Sequence, residues 1–342
     1  GDSETERTRL TGAQILVEYL VRQGVPFAAG IPGHGSWAIT DALLDRRDAI
    51  RTIQVMHEQS AVHLADGYFR ATGRPMLAFT SIGPGAMNTV IGMGTAYVDS
   101  TAVALATGSP HTYMRGHGLF QEFERRHHAD NPRVFEPVVK EWWQPSRVDD
   151  LPFVLHRAWN AMTSGRPGPI LLDLPMDVQA EAADVRLPDP EAREARGRVR
   201  PAADDVERAA ATLRAARRPV IVAGGGVVLA EAWDEVRALA ERLGAPVVTT
   251  WNGKGAIGET HELSGQTIGD TASTWQSGRD CSLKPKLGRM IPPFARFISI
   301  EFVAVRQKLA VLSALRDCGP KLRDDGIALA FDGIWILQSA DE

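Results

Sequence analysis

The stretch IQVMHEQSAVHLADGYFRATGRP, residues 53–75, decides how the N-terminal half of the chain folds. Counting from Glu58, positions i+3, i+4, i+7, i+10 and i+11 are Ala61, Val62, Ala65, Tyr68 and Phe69, the buried stripe of an amphipathic helix. Gly73 and Pro75 stand where its C-cap and stop belong. His63, Asp66 and Arg70 fall off the stripe or at its edge, yet Glu58 heads it and puts a carboxylate on the inward face. The helix dipole alone accounts for many such glutamates. The competing explanation is that a partly desolvated carboxylate shares a proton with a bound ligand. The rest of the chain decides between them.

Around this helix, helical patterns alternate with short apolar runs. TGAQILVEYLVRQGV, residues 11–25, has Thr11 as N-cap, Ile15, Leu16, Tyr19 and Leu20 on one face, and a stop at Gly24. PFAAGIPG (26–33), MLAFTS (76–81), TAVALATGS (101–109) and PGPILLDLP (167–175) read as strands. Continuous apolar strands separated by helices predict a parallel sheet covered on both faces.

RLPDPEAREARGRVRPAADD (186–205) is charged and weakly periodic and reads as an interdomain linker. After it, VERAAATLRAARRPVIVAGGG and the residues to about 254 parse as helix, strand, glycine turn, helix and strand, a second doubly wound α/β unit. Beyond about residue 276 the pattern degrades, leaving EFVAVRQKLAVLSALRD (301–317) as an isolated amphipathic helix. The fold class expected is therefore α/β, with two doubly wound parallel-sheet domains and an atypical tail. The expected boundaries are a first domain at 1–185, a linker at 186–203, a second domain at 204–280 and the tail at 281–342.

The 342 residues carry a net charge of −4 and no block of Lys and Arg, which argues against a nucleic-acid partner. No apolar run reaches the length of a membrane span, and the polar, acidic GDSETERTRL start resembles no leader, so the expected location is the cytoplasm. Cys281 and Cys318 are the only cysteines, too few for a disulfide framework or a cysteine-rich metal site, and no metal ligands are identified.

Three glycine-rich turns follow predicted strands: GIPGHGSW (30–37), SIGPGAMN (81–88) and AGGGVV (223–228). In open parallel sheets ligands sit at the carboxyl ends of strands, where such turns occur. None completes G-x-G-x-x-G, since Asn88 and Leu229 occupy the third glycine position. His34, flanked by Gly33 and Gly35, is a candidate substrate contact with an exposed imidazole. His127 and His128, beside Arg125 and Arg126, read as a solvated face, and Trp142 and Trp143 as packing under a loop.

Taken in order, GIPGHG, HEQSAVHLADGYFRATGRP, TSIGPGAMN, FQEF, PVVK, GRPGPILLDLPMDV and RPVIVAGGG resemble the acetolactate-synthase-like family of thiamine-diphosphate enzymes, from about residue 10 to about 275. The resemblance implies a pyrimidine-binding domain followed by a central domain. It places Glu58 as the glutamate that hydrogen-bonds N1′ of the cofactor's aminopyrimidine and activates it. Pro32 and Gly33 fall in the turn facing the reactive carbon, and Gly83, Pro84, Gly85 and Asn88 in the turn bordering the pyrimidine. His34, Gln121 and Lys140 fall on the substrate side.

The implied activity is that of a thiamine-diphosphate-dependent transferase or lyase, a carboligase acting on a 2-oxo acid, in a homodimer or tetramer. The GHG turn departs from acetolactate synthases and looks like that of ring-opening hydrolases of cyclic diketones in the same superfamily. The Gly-Asp-Gly motif that holds Mg²⁺ in the family's diphosphate-binding domain is missing from the sequence. The expectation is a truncated chain, consistent with a shifted reading frame near its end, holding half of an active site and inactive alone. A non-catalytic fragment or interaction subunit is the third reading. Whether the central domain takes FAD stays open, because its GGG turn suits an occupied or an empty site.

Overall fold

The computed structural model describes residues 7–122, 131–190, 201–217, 219–267, 329–331 and 334–337. The chain divides into two compact units between residues 196 and 197. The expected helix at 301–317, both cysteines, and His127 and His128 lie outside the described residues.

In the first unit β1 (Thr8–Thr11) leads into α1 (Gly12–Arg22). The helix starts where the sequence says it should: the Thr11 hydroxyl accepts from the Gln14 N–H, and the Gln14 side chain accepts from the Thr11 N–H. The chain continues through β2 (Phe27–Gly30), α2 (Trp37–Asp45), β3 (Arg51–Gln54), α3 (Glu58–Thr72), β4 (Leu77–Thr80), α4 (Pro84–Met87), α5 (Val90–Val98) and β5 (Ala104–Ser109). It closes with α6 (Asn131–Phe135), β6 (Glu141–Trp143), α7 (Leu151–Thr163), β7 (Ile170–Pro175), α8 (Met176–Ala180) and β8 (Ala182–Val185).

Six strands form one parallel sheet in the order β3-β2-β4-β5-β7-β6, and β1 pairs antiparallel with β8 as a separate ribbon. Every residue of β4, β5 and β7 is buried. That burial is the reason their sequences run apolar without alternation. Helices α1, α2, α7 and α8 pack together, while α3 packs on β2 and β4 with α5 against it, so the sheet is covered on both faces.

Helix α3 buries Ala61, Val62, Ala65 and Phe69 as its periodicity requires, and Gly73 caps its C-terminus in the left-handed conformation. Two positions differ from the pattern. Tyr68 is half-buried at the rim, edge-on to the Phe27 ring. Asp66 is buried because Arg70 Nε donates to both its carboxylate oxygens at 3.1 and 3.0 Å, and Arg70 Nη2 also reaches Asp99 Oδ2 at 2.6 Å. This charge-assisted trio pins α3 to the end of α5, so a polar residue at that position serves packing.

The second unit contains α9 (Ala203–Ala215), β9 (Val220–Ala223), α10 (Gly225–Leu229), α11 (Trp233–Leu243), β10 (Val247–Thr249) and β11 (Ser264–Thr267). β11, β10 and β9 are parallel, and Val206, Leu213, Val236, Leu239 and Val247 lie in the core of this unit. β12 (Leu329–Phe331) and β13 (Ile334–Leu337) extend the sheet beyond β9 as an antiparallel pair. These strands come from the stretch expected to stand apart. Their sequence, LAFDGIWIL, places Asp-Gly between two apolar runs, a hairpin signal the overall decay of the pattern concealed.

Lys140, just before β6, closes the far end of α7. Its ammonium donates to the carbonyls of Ala161, Ser164 and Arg166, three groups left unpaired as the helix ends. Burial pushes its pKa below the ordinary lysine range, with the Glu141 carboxylate acting in the opposite sense. Lys140→Ala is expected to destabilise the first unit by about 1–3 kcal/mol, the cost of leaving such acceptors unpaired. Urea denaturation of the variant against the wild type measures it.

Candidate functional site

From β2 the chain moves outward to β3 and then crosses back over β2 to β4. The turns after β2 and β4 therefore lie side by side at the switch point of the sheet, where open α/β folds hold ligands. They are in contact: the Gly35 N–H donates to Ser81 Oγ at 3.2 Å. A Cβ on Gly35 would come within 3.1 Å of the Ile82 side chain, and one on Gly108, at the end of β5, would meet the Gly35 carbonyl oxygen at 2.2 Å. The Gln179 amide then donates to the Gly35 carbonyl at 2.8 Å and to Leu174 O at 2.8 Å. The His34 turn is thereby wedged between the ends of β4, β5 and β7.

Glu58 opens α3, directly after β3, and is half-buried. The Asn88 side chain, from the turn after β4, donates to Glu58 Oε2 at 2.9 Å. Glu58 Oε1 lies 3.1 Å from where a Cβ on Gly85 would stand. Thus one carboxylate oxygen is held by an amide and the other lies against a bare backbone. Gly83 makes this turn possible in two ways. Its φ is +64°, and a Cβ there would overlap the Gln121 carbonyl oxygen at 2.0 Å.

The segment after β5 comes back to this turn. Glu122 is buried, and its carboxylate accepts from the N–H groups of Gly116, Gly118 and Leu119 at 2.6–2.9 Å. This knot presents Gln121 and Phe120 beside Pro84 and Met87 in an open cleft of about 710 Å³. The His34 ring lies 5.9 Å from that of Phe120. Glu122 went unnoticed in the sequence although it adjoins Gln121, since nothing in FQE separates an anchoring carboxylate from a solvated one.

A second feature hidden in the sequence is Asp173, inside the apolar run of β7. It is fully buried, and Thr107 Oγ1 and Asn131 Nδ2 donate to Oδ1 at 2.6 and 2.7 Å while Gln144 Nε2 donates to Oδ2 at 2.5 Å. Burial pushes its pKa up, against the lowering effect of these donors. Nearby, Asp177 holds the start of the segment after β5 by accepting from the N–H and hydroxyl of Thr112. Burial raises the Asp177 pKa, but the donors from Thr112, Val178 and its own backbone outweigh it and hold it below the usual carboxylate range.

The structure brings Pro32, Gly33, His34, Glu58, Gly83, Pro84, Gly85, Asn88 and Gln121 to the carboxyl edge of one sheet. It does not bring Lys140 there. Lys140 precedes β6 at the opposite, amino edge, with its ammonium engaged by helix carbonyls, which corrects the substrate-side expectation. Two further corrections follow. The His34 imidazole is half-buried rather than exposed, its Nε2 enclosed without a hydrogen-bond partner. Trp142 and Trp143 form edge strand β6 instead of packing under a loop.

These features define a parallel α/β domain with a largely apolar crevice at the switch point of its sheet. Comparison with known proteins makes the class specific. The family profile described as "Thiamine pyrophosphate enzyme, N-terminal TPP binding domain" matches residues 10–129, and "Thiamine pyrophosphate enzyme, central domain" matches residues 206–278. The chain is 34% identical over 276 residues to the acetolactate synthase large subunit of Buchnera aphidicola subsp. Acyrthosiphon pisum, covering 76% of this chain and 45% of the relative. It is 36% identical over 264 residues to a probable acetolactate synthase large subunit of Methanocaldococcus jannaschii, with 76% and 43% covered. Against acetolactate synthase isozyme 3 large subunit of Escherichia coli (strain K12) the identity is 36% over 268 residues, with 74% and 43% covered. The chain belongs to the acetolactate-synthase-like family of thiamine-diphosphate enzymes. It spans less than half the length of these curated relatives.

The pKa of Asp173 carries a pH signature. A carboxyl group whose pKa rises on folding adds stability at pH below its ordinary value near 4 and loses that contribution as pH climbs through the raised value. Relative to Asp173→Asn, the wild type should therefore be favoured most in acid and progressively less as pH rises. Urea titrations of both proteins across pH 3–8 test this; a constant difference would contradict it.

Proposed function

We propose that this chain carries the pyrimidine-binding and central portions of a thiamine-diphosphate-dependent carboligase or lyase acting on a 2-oxo acid. The observation that supports it most is the juxtaposition of Glu58, Asn88 and Gly85 at the switch point. The donor set fits an aminopyrimidine. Glu58 Oε1 can hold a proton shared with a ring nitrogen, Asn88 orients the carboxylate through Oε2, and the glycines let a flat ring approach the backbone. Bound thiamine diphosphate supplies a carbanion-stabilising centre. His34 and Gln121, presented at the same edge, are the residues we assign to the substrate. The metal and diphosphate contacts fall to residues outside this set, since the sequence holds no Gly-Asp-Gly. FAD stays outside the proposal.

A homodimer or tetramer accords with the apolar surface near the crevice. Met56 is 96% exposed two residues before Glu58, and Ile91, at the start of α5, is 66% exposed. Among the described residues no helix is long and apolar enough to cross a membrane, and two cysteines in 342 residues suit a reducing compartment such as the cytoplasm. One observation favours a second reading: the enclosed, unpartnered Nε2 of His34 could serve a ring carbonyl, as a C–C hydrolase of a cyclic diketone would need.

Calorimetric titration of the chain with thiamine diphosphate and Mg²⁺ should give a Kd on the order of millimolar, because the pyrimidine alone offers few contacts. Glu58→Gln should abolish that signal. In a protein extended to the length of the relatives, Glu58→Gln should lower turnover of pyruvate by roughly 100-fold or more. Product analysis with pyruvate and with 1,2-cyclohexanedione separates the two readings, since acetolactate as sole product removes the hydrolase. Micromolar binding and 2-oxo acid consumption by the unextended chain would overturn the division of the site proposed here.

A further inference from the structure

Arg115 lies between the two anchors of the segment after β5. On one side Thr112 is fastened to Asp177, and on the other Gly116, Gly118 and Leu119 are fastened to Glu122. The backbone around Arg115 is therefore fixed, yet Arg115 Nε and Nη2 are buried and have no hydrogen-bond partner. Enclosing two guanidinium donors without acceptors is unfavourable. Such a residue persists where something else supplies the acceptors.

The identity of the orphaned pair indicates what that is. Nε–H and one Nη2–H point the same way, along the side of the guanidinium plane, and form the fork that matches the two oxygens of a carboxylate. In the same region His111 Nδ1, four residues earlier, and His34 Nε2, on the turn wedged against Gly108, are also enclosed and unpartnered. Enclosed, unpartnered nitrogens thus lie on the loops after β2 and β5, at the same edge of the sheet as Glu58.

We propose that Arg115 is the carboxylate-binding residue of this site, gripping the acid group of the substrate through Nε and Nη2, with His111 and His34 as neighbouring polar contacts. The assignment rests on the 2-oxo acid reading and makes it specific: the ligand must carry a carboxylate.

The test uses the 342-residue chain. Thermal-shift and ligand-observed NMR titrations are run with pyruvate, 2-oxoglutarate and benzoylformate, each against its amide. At least one acid should bind ten-fold or more tightly than its amide and raise Tm. Arg115→Gln should lose that response, and Arg115→Lys, which keeps the charge but not the fork, should lose most of it. Without ligand, Arg115→Gln should keep or raise Tm, since it removes two enclosed donors that have no partner; a fall in Tm would mark a structural role and overturn the assignment. Equal binding of acids and amides, or an unchanged acid response in Arg115→Gln, would overturn it too. Glu58→Gln keeps the readings separable. It should remove the thiamine diphosphate signal and leave the carboxylate response intact; a thiamine diphosphate signal that survives would overturn the Glu58 reading, and a carboxylate response lost along with it would overturn the Arg115 assignment.

Discussion

The backbone of Gly35 is held from three sides, and the geometry of the site depends on that clamp. Ser81 Oγ takes its N–H, the Gln179 amide takes its carbonyl, and Gly108 leaves room for it over the end of β5. Ser81 follows β4, Gly108 belongs to β5, and Gln179 of α8 is itself tied to Leu174 of β7, so the turn cannot shift without disturbing these elements. A loop is ordinarily the most tolerant part of a fold. Here the loop is packed like a core, because the Gly35 backbone is held by two side-chain hydrogen bonds and lies directly against the backbone of Gly108. The consequence is that His34 is positioned by strands rather than by its own loop.

Buried polar groups show the same economy. Asp173 occupies the interior of a strand where an aliphatic residue would cost nothing, and it needs Thr107, Asn131 and Gln144 to offset its desolvation. Those partners come from β5, from α6 and from the residues after β6. The carboxylate therefore specifies how three elements meet near the carboxyl edge. Glu122 does the same for the segment after β5 by collecting three backbone N–H groups, and Asp177 does so for its start. Asp173 and Asp177 shape the crevice from outside it and Glu122 from its wall, while Glu58, the one that faces the ligand on the proposed reading, is half-buried.

This division explains what the sequence discloses. β2, β4, β5 and β7 are central strands, and their apolar runs follow from burial on both faces. β3 and β6 are edge strands with exposed residues, and β1 and β8 form a short ribbon, so none has a run to recognise. Glu58 stood out because it broke a helical stripe, and the glycine turns because three followed strands. Asp173 broke an apolar run equally well, but a single charge in a strand has no period to violate. Lys140 shows the limit in the other direction. A motif places it correctly in the chain, whereas its partners, the carbonyls ending α7, are reached only through the fold.

The partial exposure of Glu58 has a further physical meaning. A carboxylate in contact with water gains little from a shared proton, because solvent competes for it and a high dielectric weakens every nearby charge. Asn88 and Gly85 set its direction but leave it half in solvent. The low-dielectric setting that cofactor activation needs must come from whatever covers the crevice. Met56, almost fully exposed beside it, and Ile91 at the start of α5 are costly in water and inexpensive under another surface. Orientation is thus built into the strand ends, while desolvation, on the proposed reading, arrives with assembly. A site divided in this way keeps its acid–base group idle until the covering surface is in place.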